Sequence, residues 1–281
     1  MVKTIVQVYN DSNGLGFTAF LKACAGLYIF CKENHYIFEI TYTNSCLEPF
    51  LATSWNESFV TYQCISSINE LQNYISSQMS DEIYLYCFNE IEWYYQISLF
   101  DINIIKHEVL EFIINRCLIK TPVFQNIYET ALRDINISSF PYIVLYIRTP
   151  DESLDDVNLF ISISLNSEIE QFIQFLTRNA LLEFLIVIST SYKIKKEIHE
   201  KFNVQITPTV PVRLLTKNIK STDLCPSNGI IDFFILMNAS VIVSLPIGGF
   251  HGGYAKTAFI LKDMDYYESL TEFQENFVKT A

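Results

Sequence analysis

Short apolar runs alternate with longer segments of helical periodicity along the whole chain. Residues 17–33, 68–79, 104–119, 166–179, 191–202, 230–237 and 254–261 space their apolar side chains like one face of a helix. The intervening runs are rich in β-branched and aromatic residues and predict buried strands at 4–9, 36–42, 83–88, 142–147, 184–189 and 240–244. This alternation predicts parallel sheets that are covered by helices on both faces.

The pattern is interrupted near the middle of the chain. A Thr121-Pro122 break and the segment 138–141 carry turn signals between the two series of strands and helices. We therefore predict an α/β protein with two Rossmann-like domains that face each other across a cleft. The predicted domains are residues 1–138 and residues 139–281.

Composition narrows the class of protein. Half of the 281 residues are apolar, with 22 Phe and 17 Tyr, so an ordered core is expected. A net charge of −12 argues against nucleic acid as the main partner. The seven cysteines form no C-x-x-C pair and no signal-peptide pattern is present, which predicts reduced thiols and a cytoplasmic location. Charges interrupt every apolar run before it reaches the length of a membrane span, so we expect none.

A glycine turn follows the first predicted strand. With Gly14, Gly16 and Ala19 it fits the G-x-G-x-x-A fingerprint of dinucleotide binding, and Glu39 stands where the ribose-binding acid would be. However, four residues separate the strand from Gly14, and Phe17 adds bulk near the pyrophosphate position. NAD binding and a plain glycine turn that packs the helix both stay open.

Arg148 directly follows the strand predicted at 142–147. Ligands of open parallel sheets bind at the carboxyl ends of the strands, and a guanidinium group can hold two phosphate oxygens at once. Arg148 is therefore a candidate phosphate ligand. The alternative is a surface arginine that pairs with Asp151 or Glu152.

A second glycine-rich turn, Gly248-Gly249-Phe250-His251-Gly252-Gly253, joins the last predicted strand to a helix. Backbone N–H groups and the positive end of a helix dipole at such a turn suit a phosphate. The glycines are also compatible with a tight corner that has no ligand. The lysine-rich helix 191–202 carries Lys193, Lys195, Lys196 and Lys201 among glutamates, so we interpret it as a solvated face.

Taken in order, these segments resemble the superfamily of fucosyltransferases that use GDP-fucose, in particular the α-1,2-fucosyltransferases and the related O- and α-1,6-fucosyltransferases. Residues 14–27 are similar to its G-L-G-N-Q-L-F-Q-Y-A-A-G-type signature, and residues 146–151 to its H-x-R-x-G-D strand end, with Arg148 on the family's arginine. Residues 186–191 resemble its strand that ends in a Ser/Thr/Asp turn. Residues 232–236 and 244–251 resemble its D-F-x-L-L helix and S-x-S-S-F-S turn.

The chain departs from this family at several motif positions. Phe17 stands where the family has Asn, Tyr146 where it has His, and Pro150 where it has Gly. Gly248-Gly249-Phe250-His251 replaces Ser-Ser-Phe-Ser, and the turn that begins at Ser244 is longer by two residues.

The resemblance implies a GT-B glycosyltransferase that transfers fucose from GDP-fucose to a glycan hydroxyl with inversion and without a metal. It implies an acceptor-side domain at 1–138 and a nucleotide-sugar-binding domain at 139–281. No cofactor is implied besides the donor substrate, and the partners are the nucleotide sugar and a glycan acceptor. Arg148 is the implied catalytic residue. The implied substrate-binding residues are Gly14, Gly16, Phe17, Tyr146, Asp151, Asp232, Ser244, Gly248, Gly249, Phe250 and His251.

Two other functions stay open. A member of the fold that has lost its activity could act as a binding or interaction protein, given the substitutions. A metal-dependent glycosyltransferase of another fold could use Asp263-Met264-Asp265 as a D-x-D site, although this tripeptide lies near the C-terminus and not after a central strand.

Asp232 could contact the guanine or the ribose, or merely be an acid near the start of its own helix. The sequence identifies neither a general base nor the oligomeric state.

Overall fold

A computed structural model describes residues 2–10, 16–55, 61–87, 107–135, 141–149, 167–208, 227–247, 253–262 and 264–280. These residues form two compact units, one up to Gln125 and the other from Asn126 onward. The division lies inside a helix, Pro122–Asp134, and so comes earlier than the predicted boundary at 138/139. Residues 136–140 lie outside the described part. The division into an acceptor side and a nucleotide side stays a prediction.

The first unit contains one parallel sheet. Its described elements are β1 (Thr4–Val8), α1 (Phe17–Glu33), β2 (Ile37–Thr41), β3 (Gln63–Ile65), α2 (Ile68–Ser77), β4 (Glu82–Cys87), α3 (His107–Phe112) with a π-helical turn (Ile113–Cys117), and the start of α4 (Pro122–Asp134). The strands have the order β2-β1-β4-β3 and all pair in parallel. Every residue of β1 is buried, as expected for a strand that has a neighbour on each side.

The second unit contains a five-stranded parallel sheet. Its described elements are the rest of α4, β5 (Ile143–Ile147), α5 (Ser167–Arg178), a 3₁₀ turn (Leu182–Phe184), β6 (Leu185–Ser189), α6 (Tyr192–Phe202), β7 (Gln205–Ile206), α7 (Ser227–Met237), β8 (Val241–Ser244), α8 (Gly253–Lys262), β9 (Asp265–Tyr267) and α9 (Leu270–Thr280). The strand order is β7-β6-β5-β8-β9, so β5 is central.

Successive side chains of β5 point to opposite faces of the sheet, so the second unit has core residues on both faces. Leu145 and Ile147 face the layer formed by α5, α6 and α9, where Phe172 and Phe273 pack edge to face with their ring centroids 5.3 Å apart. Tyr146 faces the opposite side, as the period of two requires. The sheet is therefore covered on both faces, and the predicted α/β class with Rossmann-like parallel sheets is confirmed.

Most predicted elements are present with small shifts at their ends, and α1 agrees with its predicted range. The elements that the pattern did not predict are β3, α4, β7, β9 and α9. The Thr121-Pro122 signal predicts a break, but Pro122 is the first residue of α4. Proline suits this position because the first residue of a helix donates no N–H to a hydrogen bond within the helix. Within the described ranges, no helix has the length and hydropathy needed to cross a bilayer.

Candidate functional site

The candidate site is the carboxyl edge of the second sheet. The three adjacent strands β6, β5 and β8 run in parallel, with Ile147 opposite Ser189 and Tyr146 opposite Ser244. The residues that follow these strands therefore emerge at the same edge. Open parallel sheets bind their ligands at this edge.

Arg148 follows the last residue of β5 and is half-buried. Its carbonyl oxygen accepts a hydrogen bond from the backbone N–H of Ile247 at 2.8 Å, and the carbonyl of Tyr146 accepts one from Leu245 at 3.0 Å. Strand-like pairing thus continues past β8 to Ile247, the residue before Gly248. The structure brings the backbone of Arg148 next to Ile247, and residues 248–252 of the glycine turn lie outside the described part.

Two threonines fix the backbone around Arg148. Thr149 is fully buried, and its N–H donates to Oγ1 of Thr190, which follows β6, at 2.9 Å. The two Oγ1 atoms are also 2.9 Å apart, and the N–H of Thr190 donates to the carbonyl of Ile147 at 3.2 Å. Arg148 is therefore held on both sides by bonds to the end of β6. Both threonines lie within two residues of the end of a predicted strand, which is the sequence signal that could have identified them.

Tyr146 lies beneath α8, on the face of β5 opposite Leu145 and Ile147. Its ring stacks on that of Tyr254 with the centroids 6.2 Å apart and the planes at 26°. Tyr254 packs in turn against Phe233 of α7, and its hydroxyl donates to the carbonyl of Gly229. Tyr146 is thus part of an aromatic layer that holds α7 and α8 against the sheet.

Ser244, the last residue of β8, is fully buried. No described atom has hydrogen-bonding geometry for its Oγ. Burial raises the pKa of Tyr266 in β9, and the Ser244 hydroxyl partly offsets this rise. Ser244 is therefore a buried polar group at the candidate edge.

A charged side chain is buried in the first turn of α6, and here one sequence prediction was wrong. Lys195 of α6 is fully buried, whereas Lys193, Lys196 and Lys201 are exposed as predicted. The Lys195 ammonium donates to Oγ1 of Thr207 at 3.0 Å and to its carbonyl oxygen at 3.2 Å. Burial lowers the pKa of Lys195, and the negative charge of Asp232 on α7 partly opposes this shift.

Lys195 is buried because of its position on the helix. Ser191 caps α6 by accepting from the N–H of Ile194, and Ile194 and Ile198 turn toward the core. Lys195 lies three residues before Ile198 and so shares its face of the helix, which directs the lysine side chain into the protein and not into the solvent. The mixture of lysines and glutamates along this helix does not distinguish Lys195 from its exposed neighbours.

The remaining predicted site residues belong to the first unit or lie outside the described part. Gly16 precedes α1 with extended dihedral angles (φ −65°, ψ 155°), and no side chain caps the helix there. Phe17 is buried against Tyr9, with ring centroids 6.4 Å apart. The residues outside the described part are Gly14, Asp151, Gly248, Gly249, Phe250 and His251.

A cavity outside the predicted site and the acidic residues of the D-x-D candidate bear on the alternative functions. A cavity of about 360 Å³ between α4 and α7 is lined by Asn126, Ile127, Thr130, Ala131, Asp134, Pro208 and Ile231, none of which belongs to the predicted site. Among the described residues, no group of three or more His, Cys, Asp or Glu side chains could hold a metal ion. Asp265 of the D-x-D candidate begins β9 at the edge of the sheet, and Asp263 lies outside the described part.

No protein-family model matches the chain, and no curated protein is similar to it in sequence. Solved structures do resemble it. The crystal structure of NodZ α-1,6-fucosyltransferase co-crystallized with GDP has a TM-score of 0.53 and 10% sequence identity, with 93% of each chain covered. A structure of POFUT1 in complex with GDP covers 95% of this chain and 98% of that chain at 10% identity, but its TM-score of 0.43 is too low to carry an argument. The chain therefore has a fucosyltransferase-like fold with a strongly diverged sequence.

Proposed function

We propose that this protein is a glycosyltransferase that transfers fucose from GDP-fucose to a glycan hydroxyl, with inversion and without a metal ion. The observation that carries the proposal is the bond between the Arg148 carbonyl and the N–H of Ile247. It joins the one arginine of the strand-end motif to the residue before the glycine turn. Both features lie at the carboxyl edge of the sheet, in a fold shared with NodZ.

The chemistry requires charge stabilisation at this edge. As the glycosidic bond breaks, negative charge grows on the departing diphosphate while the sugar becomes cationic. The Arg148 guanidinium would hold two oxygens of the diphosphate, and N–H groups of Gly249 and Phe250 before α8 would bond others, aided by the dipole of that helix. These contacts strengthen in the transition state, which is how they would accelerate the reaction.

The other predicted residues complete the donor and acceptor sites in this proposal. Asp232 would accept hydrogen bonds from the guanine, and His251 would lie within reach of the diphosphate. Gly14, Gly16 and Phe17 of the first unit would serve the acceptor side. The proposal leaves the general base unassigned.

One observation favours a second function. The residue at the family's histidine position, Tyr146, is 3% exposed and stacked under Tyr254, so its side chain is committed to packing. A protein that kept the donor site but lost part of the catalytic machinery would bind the nucleotide sugar without turning it over. Binding and turnover must therefore be measured separately.

GDP binding measured with and without EDTA tests the donor site and its independence of metal directly. We expect GDP to raise the melting temperature of the wild-type protein and to bind in calorimetry with the same affinity in the presence and absence of EDTA. At 100 times its Kd, a ligand stabilises the folded state by about 2.7 kcal/mol. UDP and CMP serve as controls for base recognition. Binding of GDP that is lost in EDTA would contradict metal independence and favour a metal-dependent transferase.

A further inference from the structure

The hydroxyl groups of Thr149 and Thr190 share one hydrogen bond but carry two protons. Their Oγ1 atoms are 2.9 Å apart, so one hydroxyl donates to the other. Oγ1 of Thr190 also accepts a bond from the backbone N–H of Thr149 at 2.9 Å. Within the described part of the chain, these are the only hydrogen bonds of the Thr190 hydroxyl. The pair itself therefore uses one of its two hydroxyl protons and leaves the other available.

Burial decides which hydroxyl keeps the available proton. Thr149 is fully buried, whereas Thr190 is half-buried at the carboxyl end of β6. A buried hydroxyl proton that has no acceptor is unfavourable, because it has lost its hydrogen bond to water. Thr149 therefore donates to Thr190, whose two lone pairs accept from the N–H and the O–H of Thr149. The available proton belongs to Thr190, on the more accessible side of the pair.

This hydroxyl lies next to Arg148 at the candidate edge. The N–H that it accepts belongs to the peptide bond between Arg148 and Thr149, so standard backbone dimensions limit the distance from Thr190 Oγ1 to the Cα of Arg148 to about 5 Å. The N–H of Thr190 donates to the carbonyl of Ile147 at 3.2 Å, which fixes the backbone that carries the hydroxyl. A diphosphate held at this strand end would lie within reach of both side chains.

We infer that the Thr190 hydroxyl is a second hydrogen-bond donor to the diphosphate of the nucleotide sugar, beside the guanidinium of Arg148. This inference rests on the proposed function, in which Arg148 holds that diphosphate. Because Thr190 Oγ1 accepts two hydrogen bonds, its O–H is polarised and becomes a stronger donor. A bond from this hydroxyl to an anionic phosphate oxygen is charge-assisted, and it is therefore stronger than a bond between neutral groups.

The two accepted bonds also make the hydroxyl a preorganised donor. They hold the Thr190 oxygen in place before any ligand arrives, so only the O–H bond has to rotate when the phosphate binds. A donor that is already fixed loses little conformational entropy on binding, and more of its bond energy contributes to affinity. Arg148 would supply the positive charge, and Thr190 would supply a neutral donor with a defined direction.

Calorimetric affinities for GDP test this role in wild type, Thr190→Val and Thr190→Ser. Thr190→Val removes the hydroxyl at nearly constant volume, and we expect it to bind GDP about ten- to a hundredfold more weakly. Thr190→Ser keeps the hydroxyl and should stay within about threefold of wild type. An unchanged GDP affinity in Thr190→Val would overturn the inference.

Thr149→Val separates the available proton from the stability of the pair. This variant loses the bond between the two hydroxyls, so its melting temperature should fall, but Thr190 keeps its own proton and the bond from the N–H of residue 149. GDP affinity should therefore remain within about threefold of wild type. A loss of affinity as large as that of Thr190→Val would mean that the pair only holds the backbone, and it would contradict a direct contact.

A double-mutant cycle with Arg148→Ala separates a direct contact from an effect through the arginine. If Thr190 only positioned Arg148, Thr190→Val would change nothing once the guanidinium is absent. A direct bond to the diphosphate persists, so Thr190→Val should still weaken GDP binding by at least about fivefold on the Arg148→Ala background. Disappearance of the effect on that background would refute the contact.

Thr177→Val is the matched control, since it alters an exposed threonine in the last turn of α5 whose hydroxyl donates to the carbonyl of Ile173. Its GDP affinity should equal that of wild type. If Thr190→Val does not fold, Thr190→Cys replaces it, because a thiol of similar size is a weak donor, and GDP binding should still weaken by at least about fivefold. Failure of wild type to bind GDP would refute the proposed function, whereas GDP binding that does not depend on Thr190 would refute this inference alone.

Discussion

Arg148→Ala is expected to slow fucose transfer from GDP-fucose by about a hundred- to a thousandfold, with a smaller loss of GDP affinity. Removing one preorganised donor group that faces developing charge typically costs about 3 to 4 kcal/mol of transition-state stabilisation. The effect should appear mainly in kcat because the bonds to the leaving diphosphate strengthen as the glycosidic bond breaks. Arg148→Lys should recover little of the rate, since an ammonium cannot hold two oxygens in one plane.

The matched control is Arg178→Ala, which removes an exposed arginine from the last turn of α5. Steady-state kinetics and GDP calorimetry are compared at equal distance below each variant's melting temperature. Wild-type rates in both Arg148 variants would mean that Arg148 does not contact the donor. The proposed transferase activity would then lose its main support.

Phe172→Ala should lower the melting temperature of the second unit by roughly 6 to 20 °C. Phe172 is fully buried in the layer beneath β5 and packs on Phe273. Truncating a buried phenylalanine costs about 3 to 5 kcal/mol, and each kcal/mol shifts the melting temperature by about 2 to 4 °C in a domain of this size.

This substitution also tests where the donor binds. Because a ligand stabilises the unit that holds it, GDP should raise the same melting transition that Phe172→Ala lowers. Gln174→Ala, an exposed position on the same helix, serves as the control and should change the melting temperature little. If GDP raised a different transition, the donor site would not lie in the second unit.

The sequence was sufficient for the parts of the fold that depend on local periodicity. The strands β1, β5, β6 and β8 are buried apolar runs, and α1 was predicted with both of its ends. The elements that were missed are short or polar. β7 has two residues and β9 three, so neither is long enough to show a period, and α4 was hidden by the interpretation of Pro122 as a break.

The candidate site was only partly predictable for a similar reason. Arg148 could be placed because it follows a recognisable strand, and the parallel sheet brings that strand end to a common edge. The burial of Lys195 and its bonds to Thr207 depend on how α6 is rotated against β7, which charge patterning does not encode. The packing of Tyr146 under Tyr254 likewise depends on residues more than a hundred positions apart.

The central claim is that the protein turns over GDP-fucose, and the most direct measurement is GDP release by the wild-type protein. Purified protein is incubated with GDP-fucose and EDTA, with and without a panel of glycans, and GDP and fucosylated products are quantified by mass spectrometry, with Arg148→Ala run in parallel. We predict GDP release that depends on Arg148, is accelerated by an accepting glycan, and yields a product of inverted anomeric configuration. Tight binding of GDP-fucose by the wild-type protein with no GDP release above that of Arg148→Ala would contradict the claim and identify a binding protein.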